Sequence, residues 1–173
     1  MITVIVQDYN QFSQDFYDSI VNSLQLHRLT CSCGRSGCLE IHGYYKRQVH
    51  STDGSFTLRI QRLRCSECGR THAILLPSIV PYQQLSLEDQ RLIVQALEEH
   101  SDPLAVCTPQ GSIDENNVKS VILRYRKHWQ ERLRAEKIPL DPVTDLVMRC
   151  FDRYFSQFLQ IRRSKNLLCL NTT

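Results

Sequence analysis

Five cysteines, Cys31, Cys33, Cys38, Cys65 and Cys68, fall within 38 of the 173 residues. Cys65-Ser66-Glu67-Cys68-Gly69 is a compact Cys-x-x-Cys loop. Cys31-Ser32-Cys33-Gly34-Arg35-Ser36-Gly37-Cys38 offers a tighter Cys-x-Cys pair and a wider Cys-x4-Cys pair. A structural zinc ion needs four ligands in a tetrahedron, commonly two from each of two short loops held by a hairpin. Four of these five cysteines are therefore the expected ligands, and spacing alone does not choose among them. His42 and His72, just beyond the loops, are possible substitutes. An all-cysteine site is closed to water, which argues for a structural rather than a catalytic metal. Cys107, Cys150 and Cys169 read as small apolar packing residues.

The alternative use of eight cysteines is a disulfide framework, which belongs to exported chains. The N-terminus lacks a basic segment followed by an apolar run and cleavage site, and no stretch approaches the roughly 18 apolar residues that cross a bilayer. A cytoplasmic protein with reduced, metal-binding thiols is expected.

Between the two loops the periodicity is that of strands. Leu39 to His50 and Phe56 to Arg64 flank the turn Ser51-Thr52-Asp53-Gly54-Ser55, with Phe56, Leu58 and Ile60 alternating, and Thr71 to Leu76 can add a third strand. Met1 to Gln7 reads as another strand. Asn10 is placed to cap a helix striped by Phe12, Phe16, Ile20 and Leu24. Pro77 and Pro81 mark a linker. Beyond it Ser86-x-x-Asp89 opens a helix ending near His100, Asp102-Pro103 starts a short one, and Ser112-x-x-Glu115 opens a long one striped by Val118, Ile122, Tyr125, Trp129 and Leu133. Asp141-Pro142 starts a last helix, whose Phe151 to Phe158 face offers packing or a homodimer, and Leu167 to Leu170 can form a short strand. The fold class is α+β: residues 1–82 as an N-terminal strand and helix with a small zinc-ribbon sheet, and residues 83–173 as an all-helical, helix-turn-helix-like part.

Charge is blocked rather than uniform, although the net charge is only +3. His27 to His72 carries eight bases against three acids, Ala73 to Val118 one base against seven acids, and Lys119 to Lys137 seven bases against two acids. Such alternation suits oriented contact with an anionic polymer. Lys46, Arg47, Arg59, Arg62, Arg64 and Arg70 lie on or beside the ribbon strands, where they can bind phosphates while Tyr44 and Tyr45 stack on bases or sugars. Lys119, Arg124, Arg126, Lys127 and Arg134 line the long helix, a candidate reader in a helix-turn-helix variant. For any one of these residues a solvated charged surface is the plainer reading; the argument rests on the group.

The string His42-Gly43-Tyr44-Tyr45-Lys46-Arg47, followed by Arg62-Leu63-Arg64-Cys65-Ser66-Glu67-Cys68-Gly69-Arg70-Thr71-His72, resembles the zinc ribbon near the N-terminus of many bacterial transposases. Extended through Ala73 to Pro77 and on to Pro81-Tyr82, it looks like an uncharacterised family of small bacterial proteins associated with mobile elements. The resemblance implies a nucleic-acid-binding module for transposon ends or a transposase complex. The first loop departs from the usual Cys-x-x-Cys.

The acids Glu88-Asp89, Glu98-Glu99 and Asp114-Glu115 cluster near helix ends, where the helix dipole accounts for those at helix starts. No Gly-rich phosphate loop or Gly-x-Ser-x-Gly elbow is present. Enzymatic activity is not expected. The expected function is zinc-dependent DNA binding in a mobile-element context, with RNA a possible ligand. The alternatives are an adaptor for a transposase or transcription complex and a metal-dependent nuclease.

Overall fold

The computed structural model describes residues 1–6, 12–128, 130 and 168–171. Its elements are β1 (Ile2–Ile5), α1 (Gln14–Ser23), a 3-10 turn (Leu26–Arg28), β2 (Leu39–Ser51), β3 (Gly54–Cys65), β4 (Thr71–Leu75), α2 (Leu87–Glu98), a second 3-10 turn (Pro103–Val106), α3 (Glu115–His128) and β5 (Leu168–Asn171). The class is α+β, as the periodicity predicts. The last helix expected from Asp141, with its Phe151 to Phe158 face, lies outside the described residues, as do Trp129, Leu133, Arg134 and Cys150.

The chain divides into two units, Met1–Gln48 with Phe56–Pro77 and Ser164–Thr173, and Val49–Ser55 with Ser78–Arg163. The second unit begins at Ser78, ahead of the cut after Tyr82 expected from sequence, and takes the hairpin tip.

The first unit is a five-stranded sheet in the order β2-β3-β4-β1-β5. β3 and β4 run antiparallel with Arg62 opposite Ala73 and Leu63 opposite His72, while β1 runs parallel to both its neighbours. Burial in β3 alternates through Leu58 and Ile60 and then slips by one residue, because Gln61 is buried beside Ile60 and the alternation resumes with Leu63 and Cys65. With a side-chain period of two, Gln61, Leu63 and Cys65 share the face opposite Leu58 and Ile60, so the covered face changes at this point of the strand. Cys65 lies on the covered face.

Tyr17 occupies the slip. Its hydroxyl accepts from the Gln61 N–H at 2.9 Å and donates to the Ile74 carbonyl at 2.9 Å, so a side chain bridges the ladder just beyond the Arg62–Ala73 pair. Burial pushes its phenol well above the usual tyrosine range. Gln14, one turn earlier, serves Arg59 in the same way, accepting from its N–H at 2.7 Å and donating to its carbonyl at 3.3 Å. These contacts explain two corrections to the expected helix. The cap is Ser13, whose hydroxyl accepts from Phe16 N–H, and Phe12 precedes the helix and stacks on Phe56 at 5.5 Å between ring centroids. The fully covered side chains of α1 are Tyr17 and Val21, while Phe16, Ile20 and Leu24 are half-buried. The helix is rotated to deliver the phenol.

The second unit packs α2 and α3 around Val80, Leu85, Leu87, Ile93, Val94, Ile113, Val118, Val121 and Tyr125. Ser86 caps α2 by accepting from Asp89 N–H at 3.1 Å and donates its hydroxyl to the Asp89 carboxylate. The segment from Pro77 to Pro81 is no linker. Ser78, Ile79 and Val80 are fully buried, and the Ser78 carbonyl accepts from Leu87 N–H at 2.9 Å. The prolines end the strand, but the apolar pair between them requires cover. Asp102 caps the second 3-10 turn through Leu104 N–H at 2.9 Å. α3 starts on a different residue from the one its Ser-x-x-Glu pattern suggests: Asp114 and Asn117 exchange hydrogen bonds at 2.8 and 3.1 Å. The Ser112 hydroxyl donates instead to the Ser51 carbonyl at 3.2 Å.

Candidate metal centre and basic hairpin

The two cysteine loops close on one point. Cys31, Cys33, Cys65 and Cys68 place their sulfurs within 4.8 Å of one another, with Cys31 to Cys68 at 3.6 Å and Cys33 to Cys65 at 3.9 Å. A tetrahedral ion bonded to sulfur at about 2.3 Å sets its ligand sulfurs about 3.8 Å apart. The four thiols therefore fit a single metal ion.

Local backbone shape produces this approach. In the second loop Gly69 N–H donates to the Cys65 carbonyl at 3.0 Å, Cys65 N–H donates to the Arg70 carbonyl at 2.9 Å, and Gly69 stands at φ 69°, the left-handed region that glycine enters without strain. In the first loop Gly34 N–H donates to the Cys31 carbonyl and Cys31 N–H to the Arg35 carbonyl, at 2.9 and 2.8 Å. Each turn thus brings two thiols to one side of a tight bend. Arg70 joins the loops by donating to the Ser32 hydroxyl at 3.3 Å, a link that no spacing rule reveals.

The fifth thiol is not one of the four. Cys38 is buried with its sulfur 3.3 Å from that of Cys65, and it donates to the Arg35 carbonyl at 3.2 Å. Burial, then the neighbouring Cys65 sulfur, pushes the Cys38 thiol up. Burial opposes ionisation at Cys65 too, but the Cys68 N–H donates to its sulfur at 3.4 Å, and this bond together with the neighbouring thiols brings it well below the usual thiol range. The thiolate is the form a metal ligand needs. Of the two histidines, His42 is exposed on β2, while His72 on β4 is buried with Nε2 3.3 Å from the Cys31 sulfur. Burial lowers its pKa.

Among the expected nucleic-acid contacts, Lys46, Arg59, Arg64 and Arg70 are exposed on or beside β2 and β3, and Arg47, Arg62 and Tyr45 are half-buried. Lys46, Arg59 and Arg64 have no carboxylate partner among the described residues. Tyr44 is 43% exposed, and the Arg59 guanidinium lies 4.6 Å from its ring centre, a cation–π pair that covers one ring face. Arg62 stands 6.0 Å from Tyr45. On α3, Lys119, Arg126 and Lys127 are exposed, Lys119 pairs with Glu115, and Arg124 is half-buried. Arg134 lies outside the described residues. Between the second 3-10 turn and α3 run eight residues, Cys107 to Asp114, against the three or four of a helix-turn-helix.

The comparisons with known proteins bear on the same region. Residues 30–110 match a domain of unknown function, DUF6431. The matched span takes in both cysteine loops, β2 to β4, α2 and the second 3-10 turn, so the candidate metal centre is a feature of that domain's stretch of the chain. The match names neither a mobile element nor a transposase. No curated protein and no solved structure matches the chain. No helix among the described residues is long and apolar enough to cross a membrane.

Proposed function

We propose that the chain is a nucleic-acid-binding protein in which zinc, held by Cys31, Cys33, Cys65 and Cys68, fixes a basic hairpin against the DNA backbone. The observation that carries this reading is the set of exposed bases Lys46, Arg59 and Arg64 on strands that lead into a four-thiol site, with no carboxylate partner among the described residues. Four thiolates select zinc among the common biological cations of fixed valence, because hard cations such as magnesium and calcium prefer oxygen. A closed site of this kind organises backbone rather than performing chemistry. The hairpin bases then meet phosphates, a sequence-independent contact that gives affinity and register. The setting of a mobile element follows only from the resemblance of the ribbon to those of transposases.

The test is fluorescence anisotropy with a mixed-sequence duplex at two salt concentrations, before and after zinc removal by a strong chelator. Binding that weakens steeply with salt and disappears with the metal supports the reading. A folded, zinc-loaded protein that ignores DNA overturns it, and a pull-down for a protein partner then tests the adaptor alternative.

A further inference from the structure

The second unit holds a polar cleft that the hairpin reading does not use. Tyr82, Gln83 and Gln84 from the turn before α2 face Asn117, Ser120 and Arg124 from α3 across it. The spacing of 117, 120 and 124 puts the three on one helix face. No carboxylate lines the cleft among the described residues, and the nearest acid of α3, Glu115, is nine residues or about 13 Å along the axis from Arg124.

Arg124 is the unusual member. Its Nη1 donates to the Ser120 hydroxyl at 3.1 Å and its Nη2 lies 3.5 Å from Gln90 Oε1, but its Nε is buried with no hydrogen-bond partner among the described residues. The ion pairs among those residues are Arg91 with Glu88 and Lys119 with Glu115, so Arg124 has no counter-ion among them. Burial lowers its pKa, yet a guanidinium stays charged at any ordinary pH. A half-buried cation with no carboxylate beside it among the described residues is costly unless an anion comes to it. The planar fork of donors matches the oxygens of a phosphate. The other polar residues of the cleft, tyrosine, glutamine, asparagine and serine, are the types that contact phosphate and sugar in nucleic-acid complexes. Tyr82 stands at φ 63° and is 74% exposed at the edge. A non-glycine residue in the left-handed region is strained, and here the strain accompanies a ring set outward beside the cleft.

We propose that this cleft seats a phosphodiester of a nucleic-acid strand, with Arg124 as its counter-ion and Tyr82, Gln84, Asn117 and Ser120 around the sugar and phosphate. The proposal rests on the nucleic-acid reading above but names a contact separate from the hairpin.

The test titrates the whole zinc-loaded chain, labelled with nitrogen-15, with inorganic phosphate and separately with a mixed-sequence duplex. The Nε–H resonance of Arg124 is followed, assigned by its absence in Arg124→Gln. The proposal expects a saturable downfield shift with the duplex. It also expects Arg124→Gln to weaken duplex binding about tenfold and reduce the salt slope by about one, while Arg124→Lys keeps the slope. A shift with phosphate but none with duplex assigns the cleft to the free anion and overturns the proposal. No shift with either overturns it even where the duplex binds, because the hairpin then accounts for the binding. Should the double variant Lys46→Gln/Arg59→Gln bind like wild type while Arg124 still responds to duplex, the hairpin reading fails and the cleft stands.

Discussion

The sulfur of Cys38 lies 3.3 Å from that of Cys65 without joining the four thiols that converge on one point. Cys38 is therefore a packing neighbour of a candidate ligand. Cys38→Ser is expected to keep about one zinc per chain, whereas Cys65→Ser or Cys31→Ser lowers bound zinc to below about a tenth of that. Metal content by mass spectrometry of the purified variants checks this, and loss of zinc in Cys38→Ser would return Cys38 to the ligand set.

Metal removal tests the centre in another way. The four thiols sit on short loops, and a metal bound there would supply folding energy to them. A strong chelator is expected to abolish amide protection in β3 and β4 near Cys65 and His72, while amides of α2 and α3, which have their own core, stay protected. Hydrogen exchange read by mass spectrometry distinguishes the two regions. Uniform retention of protection would count against a structural metal.

Tyr17 bridges Gln61 N–H and Ile74 C=O. Tyr17→Phe keeps the ring and leaves two buried backbone groups without their partner, at a cost of about 2 to 4 kcal/mol. Urea denaturation measures the loss, and faster exchange of the Gln61 amide locates it. A change under about 0.5 kcal/mol would show that water or a relaxed ladder replaces the phenol.

Asp89 provides a pH test with a definite sign. Burial raises its pKa above the ordinary 3.8, against hydrogen bonds from Ser86 and Thr52 that lower it. The folded chain then holds this proton more tightly than the unfolded chain, so stability falls as pH rises from 3.8 through the folded-state value. Relative to Asp89→Asn, the wild type is expected to lose stability across that window and run parallel above it. Urea midpoints at several pH values check this, and a gap that widens in favour of wild type would refute it.

The start of α3 separates two serine- and aspartate-based caps. Asp114→Ala removes the acceptor used by Asn117 N–H and is expected to cost about 1 kcal/mol, with faster exchange of the Asn117 amide. Ser112→Ala leaves that amide protected, because its hydroxyl serves Ser51 and Thr108 instead. Equal exchange in the two variants would contradict the assigned cap.

Much of this protein is determined locally and was therefore open to inspection of the sequence. The Asp53-Gly54 turn with its alternating flanks gives the hairpin, Cys65-x-x-Cys68-Gly69 gives a tight thiol loop, and Ser86-x-x-Asp89 gives the start of α2, since each depends on residues within one or two turns of chain. The pairing of thiols, the side of β3 on which Cys65 sits, and the rotation of α1 did not follow, because they depend on residues far apart in sequence. Cys31 and Cys33 converge with Cys65 and Cys68 because the Gly34 turn brings their thiols to one point, while the Cys38 thiol, beside Cys65, is held to the Arg35 carbonyl. Cys65 lies on the covered face because burial passes from the face of Ile60 to that of Gln61, and Tyr17, 44 residues before Gln61, holds that residue's buried N–H. Local periodicity has no term for a side chain that enters another element's ladder; only the folded arrangement brings that phenol to the two backbone groups that need it.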